Sequence, residues 1–165
     1  MGSRLHGGST VTRITRYQGA IMRDHHILLI KQTEHASGRS YWLLPGGGIE
    51  PDETEEICVQ REMQEETGLH VHVQYLLLDE PSSPGGIYQR KKTYVCQILD
   101  GEAQPGYEPE EAYATAYSFT EVGWFDLRHP TSWNEQIVSD PITYPLLQRI
   151  QAALGYAVAG RDTIA

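Results

Sequence analysis

Three glutamates, Glu62, Glu65 and Glu66, stand within a stretch from 54 to 67 that contains neither proline nor glycine. On a helix, at ~100° per residue, Glu66 lies about 40° from Glu62, and Glu65 lies about 60° to the other side. The three carboxylates then share one arc of roughly 100°. Each like-charged i,i+3 or i,i+4 pair costs about 0.2–0.5 kcal/mol in an isolated helix, and more where it is partly buried. The one cation in the cluster is Arg61. Such crowding becomes favourable when a positive charge settles among the side chains, and hard divalent cations prefer oxygen ligands. The chemistry open to a carboxylate-held cation is neutralisation of phosphate charge and activation of a bound water.

The bland alternative is a solvated acidic helix face, the usual meaning of a charge run. Two features oppose it. Gly46-Gly47-Gly48 immediately precedes the segment, and a glycine loop lets backbone approach a phosphate or metal closely. Ile57, Cys58, Val59 and Met63 would spread around the helix circumference, which implies packing on several sides.

The segment resembles the Nudix box. That pattern is Gly, five residues, Glu, seven residues, then Arg-Glu-U-X-Glu-Glu-X-Gly-U, with U a bulky aliphatic residue. Here Gly47, Glu53, Arg61, Glu62, Glu65, Glu66 and Gly68 fill the fixed places, and Met63 and Leu69 the aliphatic ones. The resemblance implies an α/β fold, an α/β/α sandwich with a mixed β-sheet. It implies that Glu62, Glu65 and Glu66 hold one to three Mg2+ ions, with Mn2+ as a substitute and the Gly46 carbonyl assisting. Glu53 and Arg61 would orient those carboxylates; a purely structural salt bridge is the alternative for that pair. The reaction implied is attack of water on a diphosphate, where catalysis is mostly positioning and electrostatics. Many family members add a glutamate from a loop outside the box, as base or extra ligand. Within Glu108-Pro109-Glu110-Glu111 the candidate is Glu111, ahead of Glu110, with plain loop solubility as the alternative. Asp52 stands where the family often has glycine, which is expected to alter the loop slightly and leave the chemistry alone.

The box leaves the substrate open. Pro84, sixteen residues beyond Gly68, resembles the downstream proline of the ADP-ribose pyrophosphatase subgroup; an ordinary turn proline is the even alternative. Arg90, within Arg90-Lys91-Lys92, either attracts a phosphate or blunts an edge strand. Trp42 and Tyr88, with Tyr41 and Tyr107, are candidates to stack on a base, though each singly is as readily core or rim. His70 and His72 share a strand face at metal-compatible spacing, but no third ligand accompanies them.

Several elements must position these residues. Loose alternation over 10–22 and a short β-rich run at 27–30 read as strands joined by a turn at Asp24-His25. A polar loop over 34–40 leads to a strand at 41–44 and then the glycine loop. The helix over 54–67 ends at Gly68. Strands are expected over 70–78 and 88–99, with Pro81-Ser82-Ser83-Pro84-Gly85-Gly86 between them. A polar loop over 100–111 precedes a strand near 116–125, and an amphipathic helix over 142–154 closes the domain. The reading is a domain over 10–156, with an N-terminal tail over 1–9 and a C-terminal tail over 157–165.

Length and composition set the frame. At 165 residues, 39% hydrophobic and 21% charged, the chain has the balance of a globular domain. No apolar run approaches the ~20 residues that span a bilayer, so no membrane partner is expected. Cys58 and Cys96 are far apart and read as reduced buried thiols in a cytoplasmic protein. The net charge of −9 repels nucleic-acid backbones, so no nucleic-acid partner, and no RNA-decapping role, is expected. A small nucleotide diphosphate remains suitable if a cation neutralises the site locally. Family members are often dimers, so a homodimer is a further expectation.

The leading expectation is therefore Mg2+-dependent hydrolysis of ADP-ribose or another NDP-sugar. A nucleoside triphosphate or dinucleoside polyphosphate pyrophosphohydrolase is the alternative within enzymes. A non-catalytic nucleotide-sensing module is the alternative from another class; such modules commonly have a broken glutamate set, which is intact here.

Overall fold

The computed structural model describes residues 14–82, 84–109 and 114–158. The expected tail over 1–9, residues 10–13 of the expected first strand, and most of the expected C-terminal tail lie outside the described residues. Strands β1 (Thr15–Arg23) and β2 (His26–Glu34) form a hairpin in which Arg23 faces His26. Asp24 at its turn takes φ 55°, a left-handed conformation that aspartate tolerates better than most residues.

The hairpin opens beyond its turn. β1 pairs in parallel with β6 (Arg90–Asp100) and antiparallel with β4 (Gly46–Gly48). β2 instead pairs with β3 (Ser40–Leu43) and β7 (Tyr117–Asp126). β5 (His70–Pro81) flanks β6, giving a mixed seven-stranded sheet. The triple glycine expected as a loop is thus a strand: Gly46, Gly47 and Gly48 face Gln18, Tyr17 and Arg16. Glycine is a poor strand former by propensity, but a Cβ at Gly46 would lie 2.4 Å from the Tyr17 carbonyl oxygen. Close backbone approach overrides propensity here.

Helix α1 (Glu55–Thr67) starts where the Thr54 side chain accepts from the Ile57 amide at 3.2 Å. It stops at Gly68, φ 75°, whose amide donates to the Gln64 carbonyl. α1 buries Cys58, Val59 and Met63 against Tyr17, Ile21 and Leu28 on one face of the sheet. Ile57, expected among the packed positions, is half exposed; α1 packs on one broad side. The opposite sheet face presents Ala20, Ile27 and Leu29 to α3 (Thr143–Leu154), which buries Leu146, Leu147 and Ile150. Short helix α2 (Glu135–Val138) adds Ile137 to that core; it is too brief to show a period in sequence. Two apolar cores, one on each face, make this an α/β/α sandwich. No helix among the described residues is long and apolar enough to cross a membrane.

Candidate active site

The box residues on α1 face the backbone of β4. The two elements touch so closely that a Cβ at Gly47 would sit 2.5 Å from Glu62 Oε1, and the Gly46 amide donates to Glu66 Oε1 at 3.3 Å. Glu62 and Glu66 are buried, at 8% and 3% exposure, while Glu65 is half-buried. Burial above all, and the neighbouring Glu62 carboxylate next, push Glu66 well above the usual carboxylate range, against the pull of Arg16 and the Gly46 amide. Burial and Glu62 also raise Glu65.

Arg61 organises the acidic side chains. Its Nε donates to Glu53 Oε2 at 2.7 Å and one Nη to Glu53 Oε1 at 2.9 Å, a bidentate pair. The other Nη reaches Glu62 at 2.9 Å and Glu65 at 3.2 Å, and Glu50 stands 3.7 Å away. Arg61 also donates to the Gly48 carbonyl at 3.1 Å, which ties α1 to β4. The guanidinium holds Glu53 below the usual carboxylate range, and the carboxylates raise Arg61 in return. One guanidinium therefore serves four carboxylates, and Glu66 stands beyond its reach as a fifth. Asp52 takes φ 67°, a left-handed conformation that glycine adopts more readily.

Two adjoining cavities complete the site. A cleft of ≈ 250 Å³ is walled by Gly46 to Gly48, Glu62, Glu65 and Glu108. Glu108 accepts from the Tyr117 hydroxyl at 2.8 Å. The wider cavity beside it, ≈ 610 Å³, runs between β3, the 84–88 segment and the start of α3. Arg16, Leu43, Ile87 and Tyr88 border both. Arg16 donates to the Leu44 carbonyl at 2.8 Å and to Gln18 at 3.3 Å, and its guanidinium carbon lies 6.0 Å from the centre of the Tyr88 ring.

These cavities sort the sequence candidates. Glu53, Arg61, Glu62, Glu65, Glu66 and Gly46 come together. Tyr88 and Pro84 border the wider cavity. Trp42 borders it too but is 6% exposed and packs edge-to-face on Phe125, so its ring serves chiefly as core. Arg90 borders neither cavity: it pairs from β6 with Asp79 on the edge strand β5. Glu110 and Glu111 lie outside the described residues; Glu108 is the described glutamate of that loop at the cleft. Sequence reasoning missed Arg16, Glu50 and Tyr117. For Arg16 a signal existed, since polar Arg16 and Gln18 alternate onto one face of an otherwise apolar strand. Among the described residues no group of three His, Cys, Asp or Glu side chains converges on one point, and Arg61 stands between Glu62 and Glu65.

The NUDIX domain family matches residues 14–142. The chain belongs to the Nudix family. An ADP-ribose pyrophosphatase of Methanocaldococcus jannaschii is 34% identical over 96 residues, 57% of this chain and 56% of that one. An NAD-capped RNA hydrolase of Photobacterium profundum is 31% identical over 90 residues, 54% of this chain and 32% of that one. The matches thus span about half and a third of these relatives' length. A crystal structure of a MutT Nudix hydrolase from Burkholderia pseudomallei superposes with a TM-score of 0.55 at 27% identity, covering 88% of this chain and 98% of that one. This Nudix chain therefore shares the fold of that hydrolase.

Proposed function

We propose that this Nudix protein hydrolyses the diphosphate linkage of a nucleoside diphosphate derivative, of which ADP-ribose and other NDP-sugars are the leading class, with Mg2+ as its cation. The observation that carries the reading is the excess of carboxylates: Glu50, Glu53, Glu62 and Glu65 share one guanidinium while Glu66 is buried with its pKa raised. The donors are all oxygens, which suits a hard divalent cation and not a soft one. Glu62, Glu65, Glu66 and the Gly46 carbonyl would hold Mg2+, or Mn2+ in its place. Bound there, the cation supplies charge neutralisation for the diphosphate and a lower pKa for water.

The chain's own groups do the rest. Arg61, fixed by Glu53, holds Glu62 and Glu65 by hydrogen bonds and keeps α1 against β4 through the Gly48 carbonyl. The cleft between β4 and α1 restricts the diphosphate to an orientation along the glycine backbone. A glutamate of the 108–111 loop, with Glu111 as the sequence candidate, would accept the proton from the attacking water. Tyr88 and Pro84 would border the nucleoside or sugar. The buried free thiols of Cys58 and Cys96 support a cytoplasmic setting.

A panel of diphosphates incubated with Mg2+, with products separated by chromatography, tests the reading. Release of AMP and ribose 5-phosphate from ADP-ribose supports it. Pyrophosphate release from nucleoside triphosphates alone would move the protein to the triphosphate class, and cleavage of none of the panel would defeat it.

A further inference from the structure

The run Arg90-Lys91-Lys92 puts two cations on one face of β6 and one on the other. Arg90 pairs with Asp79, and Lys92 with Glu55 at 3.1 Å. Lys91 turns to the opposite face, is half-buried, and borders the wider cavity. Among the described residues its ammonium makes no hydrogen bond or ion pair. The acids that face it, Glu80 and Asp140, favour its charged form but make no ion pair with it, and each has other partners. Glu80 takes Arg149 at 2.8 and 3.0 Å, and Asp140 Oδ1 accepts the Ile142 and Thr143 amides at 2.8 and 2.9 Å. Arg16 and Arg149 add repulsion, and burial together with Arg16 lowers the Lys91 pKa.

Arg16, on the same cavity, donates only to neutral oxygens. Arg39, exposed at the rim, forms no ion pair among the described residues. A chain of net charge −9 thus brings three cations to one cavity, none of them in a salt bridge with a carboxylate among the described residues, although Asp140 also borders the cavity and Arg16 pulls on Glu66. Burying an ammonium unpaired costs stability that a bound anion would recover. The cavity's ≈ 610 Å³ is ample for a nucleoside together with a phosphate.

We propose that this cavity binds a second phosphate group, carried on the nucleotide away from the diphosphate that is cleaved, through Lys91 and Arg16 with Arg39 at the rim. The substrate class is then a nucleotide diphosphate bearing an additional phosphomonoester. The inference rests on assigning the carboxylate cleft to the diphosphate: Arg16 borders both cavities, so one ligand can span them.

Calorimetric titration of the metal-free protein with AMP, adenosine 2′,5′-bisphosphate and adenosine 3′,5′-bisphosphate tests it without turnover. At least one bisphosphate should bind at least tenfold more tightly than AMP. Lys91→Met should shrink that gap below threefold, and Lys91→Arg should keep most of it; a melting curve checks that both variants are folded. Bisphosphates no tighter than AMP, or a gap untouched by Lys91→Met, would overturn the proposal. Retention of the gap in a protein that cleaves no diphosphate would defeat the hydrolase reading alone, whereas hydrolysis without the gap would defeat only the second-phosphate site.

Discussion

Glu66 and Glu53 are carboxylates with opposite electrostatic histories. Glu66 is buried beside Glu62 and raised, whereas Glu53 is held low by the fork of Arg61. Glu66→Gln keeps the shape and removes the charge that a cation needs. Turnover should fall at least about a hundredfold, since even residues that only orient metal ligands cost 10–100-fold, while the melting temperature without metal should not drop. Glu53→Gln is the converse case. It leaves Arg61 half-satisfied and should cost about 1–3 kcal/mol of stability, read by denaturant unfolding. Because the folded pKa of Glu53 is depressed, its contribution is present above the ordinary value near 4.5 and is lost as pH falls through the lower folded value. The stability gap between wild type and variant should therefore be full at pH 7 and should narrow well below pH 4. The cysteines give a third check at this scale. Burial pushes both thiols up to about 12, so neither should react with a thiol reagent at pH 8 until the protein unfolds.

At the scale of elements, the chemistry depends on α1 lying against β4 and on the segment that follows β6. The spacing of Glu62, Glu65 and Glu66 along α1 was legible in sequence because helical neighbours are close in sequence as well as in space. The strand character of Gly46–Gly48 was not. It arises from pairing with β1 some thirty residues earlier and from the closeness of Glu62, neither of which glycine composition reveals. The same holds for residues 101–109, read as a plain polar loop. Gln104, Gly106 and Tyr107 donate their amides to the carbonyls of Thr67, Glu66 and Glu65, satisfying the last turn of α1. A Cβ at Gly106 would fall 1.8 Å from the Glu65 carbonyl oxygen. Gly106→Ala should then detach this segment and destabilise the protein by about 1–3 kcal/mol. It should also lower activity, since Glu108 at the cleft follows directly; an unchanged melting curve would contradict the strapping role.

Across the whole molecule, the two-faced sandwich follows from apolar residues alternating along β1 and β2, and the resemblance to the Nudix box anticipated it. What sequence did not disclose is long-range charge placement. Arg16 reaches the cleft from β1, and Lys91 differs from its two basic neighbours only in the face it takes. Under the proposed function the same distribution would let a chain of net charge −9 receive a polyanion, with cations around one cavity and the carboxylates of the next holding a divalent cation. Metal binding should couple to folding of the whole domain. At a concentration about 100 times its Kd, Mg2+ should raise the melting temperature by roughly 5–10 °C. The claim on which all of this depends is that the α1 carboxylates hold a divalent cation. Titration of Mn2+ into the apo-protein, followed by its electron paramagnetic resonance signal, measures that directly. The account predicts saturable binding to wild type and at least tenfold weaker binding to Glu66→Gln. Equal binding by the two proteins, or none by wild type, would contradict it.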